Sequence, residues 1–183
     1  MHKFSMKMSG EQRPVIDLYG NAALIDTGAI IPMVYFPGEL LKLAWNAELV
    51  ISDVEIGGIG GKTKGDIYTL HNFIVGDFCF DALDVFVSNT RDTRYTYLLS
   101  ATMFYGTNFS FNLIDKENQT FTVEIPDSIP LHRDFRIKDL DGKIYAQVDG
   151  VLIQDELFPS VEITNYTQTV EYEFDDDFDI DRE

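Results

Sequence analysis

A mainly β fold follows from three features of this chain. Short runs of alternating apolar and polar residues recur along it, aromatic residues make up 13% of it, and only one stretch has a clear helical signature. Residues at every second position line one face of a strand, and Phe, Tyr, Val and Ile suit that pleated surface. With 183 residues, 45% of them hydrophobic, the chain holds one domain with a real core and room for an appendage.

The elements follow in order. Phe4, Met6 and Met8 alternate with polar residues, Ser9 to Pro14 is turn-rich, and Val15 to Tyr19 is apolar with one interruption. Gly20-Asn21 offers a tight turn into Ala22–Ile25, and Ile30 to Phe36 is apolar and extended. Pro37 opens the helical stretch, whose apolar residues are Leu40, Leu41, Leu43, Ala44 and Trp45. Strand signals resume at Leu49–Ile51 and Val54–Ile56 and lead into a glycine-rich segment. Asp66 to Val75 and Phe78 to Val87 then form a hairpin turning at Gly76-Asp77. Ser88 to Thr96 reads as loop, Tyr97-Leu98-Leu99 as strand, and Ala101 to Tyr105 as a short helix ended by Gly106.

Phe109, Phe111 and Leu113 alternate, Asp115 to Asn118 turns, and Phe121, Val123 and Ile125 alternate back. Pro126 and Pro130 mark a boundary, which divides the chain into a main domain over residues 1–126, a β-rich extension over 127–170 and a tail over 171–183. Asp141-Gly142 is a hairpin turn within the extension, and a second Asp-Gly, at Asp149-Gly150, precedes the apolar stretch Val151–Ile153. The tail is strongly acidic with scattered Phe and reads as a mobile or partner-ordered segment.

Several function classes are disfavoured by composition. A net charge of −17 opposes binding to nucleic acid or an anionic membrane, both of which need Lys and Arg. No apolar run is long enough to span a bilayer, and Met1 to Gly10 lacks the apolar centre of a signal peptide, so the default expectation is a cytoplasmic protein. Cys79 is the only cysteine, which excludes an intrachain disulfide, and its apolar setting predicts a core residue. His2, His71 and His132 show no metal-ligand spacing. Asp175, Asp177 and Asp179 fail as a calcium loop because Ile180 stands where glycine is required. The expectation is neither metal nor cofactor.

Two segments carry chemistry. Ala23-Leu24-Ile25 leads into Asp26-Thr27-Gly28-Ala29, a buried strand that presents a carboxylate at a tight turn. About thirty residues later comes Ile56-Gly57-Gly58-Ile59-Gly60-Gly61. Its Gly61-Lys62-Thr63 imitates the end of a phosphate loop, but Ile56 replaces the first glycine and strand residues follow. A glycine-rich hairpin tip that opens and closes over a ligand fits better.

Together with Gln12-Arg13-Pro14-Val15, these segments resemble the catalytic loop and flap of the retroviral aspartic proteases, over about residues 12 to 125. The resemblance implies a closed, barrel-like β fold with a flap hairpin and one or two short helices. It implies a homodimeric aspartic endopeptidase that cleaves polypeptides with one Asp26 from each chain, since no second Asp-Thr-Gly or Asp-Ser-Gly occurs. Thr27 and Gly28 would hold the paired loops. Ala29, Ile56, Gly57, Gly58, Ile59, Gly60 and Gly61 would contact substrate, and the hairpin from Phe109 to Ile125 would supply the dimer contact with Phe111 facing it. The chain departs from the family at Ser100, where a glycine follows two apolar residues, and at Ile30 and Ala101, which replace a paired acid and arginine. These departures favour an alternative, a non-catalytic peptide-binding or dimerisation module of the same fold.

Overall fold

The run Phe78–Ser88 alternates apolar and polar residues in its first half and is almost continuously apolar in its second, the pattern of a strand that becomes buried on both faces. It forms β7, the strand on which most of the molecule is assembled. The computed structural model describes residues 1–10, 13–58, 61–88, 94–114, 117–153 and 161–164. Along one edge β7 pairs antiparallel with β6 (Gly61–Val75). Its other edge is shared in parallel by β11 (His132–Leu140) over the first half and by β4 (Met33–Val34) over the second.

From β4 the sheet continues through β8 (Tyr97–Ser100), β3 (Asn21–Asp26) and β2 (Val15–Leu18). From β11 it continues through β12 (Lys143–Val148) and β13 (Val151–Ile153). The strand β5 (Glu48–Gly58) pairs with β6 to give a long hairpin. A second sheet has the order β1 (His2–Lys7), β10 (Thr120–Ile125), β9 (Asn108–Asn112) and β14 (Val161–Thr164). The fold is mainly β, and the described residues include one α-helix, α1 (Gly38–Trp45), and a 3-10 turn at Ala101–Phe104. Pro37 caps α1 and Asn46 ends it in the left-handed conformation.

Turn chemistry matches the residues. Asp141-Gly142 and Asp149-Gly150 have positive φ at both positions, as two-residue hairpin turns require. The turn between β2 and β3 falls on Tyr19-Gly20, one residue earlier than the Gly20-Asn21 expected, because Tyr19 also takes positive φ. Its hydroxyl accepts the Ile74 N–H at 2.8 Å, which helps to hold that backbone.

Two expectations change. Among the described residues no barrel closes: the larger sheet ends at β2 and β13, because β11 occupies the edge of β7 and leads outward. Phe111, expected in the dimer contact, is 4% exposed and belongs to a cluster with Phe104, Phe109 and Phe121, so this side chain packs within its own chain. Each such phenyl contributes about 1.5–3 kcal/mol by leaving water. A second aromatic group, Tyr19, Trp45, Phe73 and Tyr97, packs α1 onto the sheet.

The strands after residue 126 carry the most deeply buried charge among the described residues. Arg133 has a fully buried side chain, which donates to Asp149 Oδ2 from Nε (3.1 Å) and Nη2 (2.7 Å) and to the Tyr105 carbonyl from Nη1 (2.9 Å). Its guanidinium lies 5.0 Å from the centre of the Phe78 ring. Replacing Asp149 leaves the guanidinium as an uncompensated buried charge, so Asp149→Asn should destabilise by about 3–5 kcal/mol. Urea unfolding measures this, and a loss below about 1 kcal/mol would mean that the guanidinium reaches water.

Burial pushes the Tyr97 phenol up to about 12, with a smaller contribution from Tyr19. A raised folded-state value favours folding while the phenol is neutral. That stability is present in full below pH 10 and is lost as pH rises through about 12. Absorbance titration of tyrosinate should show one late-ionising group that is missing in Tyr97→Phe.

Candidate active site

Asp26 is the last residue of β3, and the strand geometry explains how it is presented. The segment Leu24-Ile25-Asp26 lies in parallel register beside Leu98-Leu99-Ser100 of β8, while β2 covers the other edge of β3. Ile25 and Leu99 are buried in the core, and the Ile25 N–H donates to the Pro14 carbonyl at 2.9 Å. The chain therefore reaches Asp26 from a strand held on both sides.

Beyond Asp26 the backbone turns at once. The Ala29 N–H donates to the Asp26 carbonyl at 3.2 Å, and the Gly28 N–H donates to Asp26 Oδ1 at 2.9 Å. The carboxylate is half-buried, Thr27 and Gly28 are exposed, and Ala29 is half-buried. An Asx turn of this kind fixes the side chain. A Cβ placed on Gly28 would meet Asp26 Oδ1 at an ordinary 3.5 Å, so nothing within a single chain demands glycine there.

Ser100, the main departure from the family pattern, is fully buried and hydrogen-bonded. Its hydroxyl lies 2.8 Å from that of Thr102, which donates to the Ile30 carbonyl at 2.6 Å. A hydroxyl has one proton, and Thr102 gives its own to Ile30, so Ser100 is the donor to Thr102. This relay ties the far end of the Asp26 loop to the start of the 3-10 turn. Single-sequence reasoning missed Thr102, because its partners lie two and 72 residues away.

The glycine segment closes the β5–β6 hairpin, with Gly57 opposite Lys62 and Gly58 opposite Gly61. Ile59 and Gly60, expected at its tip, lie outside the described residues, as do Gln12 and the acidic tail. Ile56 is partly buried and packs against the core. Opposite Val54 in the same hairpin, Gly65 is a true steric requirement, since a Cβ there would collide with the Val87 carbonyl and the Phe86 ring.

Expectations for two other residues also change. Cys79 is not a core residue but lies partly exposed on the outer face of β7, where burial is the main cause of its raised pKa and Asp81 adds to it. His132 is the direct cross-strand neighbour of Cys79, and its hydrogen bond holds the Asp81 carboxyl below the usual range. No described helix is long and apolar enough to cross a membrane. No protein-family model, curated protein or solved structure matches this chain.

The hydroxyl relay is testable. Thr102→Val removes the donor to Ile30 and the acceptor for Ser100, and should cost about 1–3 kcal/mol in urea unfolding. Ser100→Ala leaves the Thr102–Ile30 bond intact and should cost less. Equal losses would overturn the assigned direction of the relay.

Proposed function

We propose that this chain is one half of a homodimeric aspartic endopeptidase of the retroviral type. The observation that supports it most directly is Asp26, half-buried at the end of β3 with one oxygen accepting the Gly28 N–H. The parallel strand β8 beside it and the glycine-rich β5–β6 hairpin add the other parts that the family's chemistry requires. The closed barrel is not needed for this reading, which concerns the loop, its supporting strand and the hairpin.

In the dimer two Asp26 carboxylates share one proton, since two such charges in contact cannot both ionise. The ionised one takes a proton from a water whose oxygen adds to the scissile carbonyl. The protonated one hydrogen-bonds the developing oxyanion, and the amide nitrogen is protonated as the C–N bond breaks. Thr27 and Gly28, exposed in one chain, are where the second copy docks, and that contact supplies the reason for glycine at position 28. Polypeptide substrate pairs with the hairpin as an added strand. Each copy carries a charge of −17, so the isologous contact is apolar or locally balanced.

The burial of Phe111 favours a second reading, a non-catalytic peptide-binding module, because it removes the apolar surface first expected to join two copies.

One experiment separates the two. Wild-type protein should sediment as a dimer at micromolar concentration and cleave members of a peptide library. Asp26→Asn should lower kcat/KM by about 10²–10⁴-fold or more while leaving the unfolding midpoint nearly unchanged. Cleavage by a strict monomer, or unchanged cleavage by the variant, would refute the shared dyad. Peptide binding without cleavage would establish the module instead.

A further inference from the structure

We propose that Cys79, Asp81 and His132 bind a divalent cation of the zinc class on the outer face of the larger sheet, where β7 and β11 run side by side. The site is independent of the protease reading. Each residue offers one donor atom, and the three atoms lie within 4.8 Å of one another.

Their backbones are fixed before any ion arrives. Cys79 and Asp81 are two apart on β7 and so share a face. His132 is paired in register with Cys79, and the Cys79 N–H donates to the Leu131 carbonyl at 2.9 Å. The site therefore does not depend on a loop to bring its donors together.

The donors themselves select the ion. Thiolate, imidazole and carboxylate form the mixed sulfur, nitrogen and oxygen set that zinc accepts, whereas calcium and magnesium need shells of oxygen. Zinc–ligand bonds of about 2.0–2.3 Å place tetrahedral ligands about 3.3–3.8 Å apart. Cys79 Sγ lies 3.5 Å from Asp81 Oδ1, already at that spacing. His132 Nδ1 lies 2.8 Å from the same oxygen, joined by a hydrogen bond, and must move outward by about half an ångström. Both side chains have room to do so, being 71% and 56% exposed.

Proton accounting is simple. The thiol proton passes to solvent and His132 carries its ring proton on Nε2 once Nδ1 binds the ion, leaving two negative ligands and a neutral imidazole around a doubly charged ion. Three protein ligands leave the fourth position to water. The chain's net charge of −17 raises the local concentration of cations.

The consequence is structural. Phe78 and Arg133 are the neighbours of Cys79 and His132 in sequence, and they meet on the buried face of the same strand pair. The guanidinium joins β7 to β11 from inside, and the ion joins them from outside.

The test uses full-length protein with Co²⁺ as a spectroscopic probe. Titration should give saturable, one-to-one thiolate-to-cobalt charge-transfer absorption that Zn²⁺ displaces and excess Ca²⁺ does not. Cys79→Ser should abolish the band, and His132→Ala or Asp81→Asn should weaken binding at least tenfold, with circular dichroism confirming that each variant is folded. Zn²⁺ at about a hundredfold excess over Kd should raise Tm of the wild type by about 5–10 °C and leave Cys79→Ser unmoved. Absence of a saturable band would overturn the proposal. So would cation binding that survives all three substitutions, which would place the ion on carboxylates elsewhere.

Discussion

A buried guanidinium sets the terms for the rest of this structure. Arg133 has no access to water, so every donor it carries must find a partner inside the protein. The partners come from three separate parts of the chain: Asp149 at the turn between β12 and β13, the Tyr105 carbonyl after the 3-10 turn, and the Phe78 ring at the start of β7. Asp149 also accepts the Asp134 N–H at 3.0 Å, which fixes its second oxygen. One side chain thereby docks the strands after residue 126 against the turn that follows β8. The sequence boundary at Pro126 and Pro130 marks a change of direction, and the sheet continues across it.

Asp84 repeats the logic on the neighbouring strand β7 with the opposite sign. It accepts from Thr69 Oγ1 at 2.6 Å and from the Ile137 N–H at 2.9 Å, joining β6, β7 and β11 through a nearly buried carboxylate. Polar residues within an otherwise apolar strand are costly unless each finds a defined partner. The arrangement of strands around β7 meets that condition twice.

Local signals were legible and distant ones were not. The hairpins at Gly76-Asp77 and Asp141-Gly142 were readable because turn residues and alternating flanks lie within ten positions of each other. The strand entering Asp26 and the glycine hairpin were readable for the same reason. Two parallel pairings decide what lies beside what: β3 with β8, and β7 with β11. Their partners are more than fifty residues apart, and no local pattern encodes the register. The family pattern of two apolar residues after a loop suggested the first. Nothing suggested the second, so no local signal placed His132 beside Cys79 or showed that Phe111 packs within its own chain. A strand's alternation shows that one face is apolar, but it does not say whether that face belongs to its own core or to a partner.

The Asp26 loop shows where this asymmetry matters for function. On its inner side it is over-determined: Pro14 holds Ile25, β8 lies in register, and Thr102 takes the carbonyl of Ile30. On its outer side Thr27 and Gly28 are exposed, and a side chain would fit at Gly28. A carboxylate held firmly from below and left open above is suited to meeting a second group brought by another molecule. Rigid support keeps the carboxylate aligned when that group arrives, so little ordering remains to oppose association. Ser100 fits this account as well. Its buried hydroxyl adds a fixed contact beneath the loop without reaching the surface.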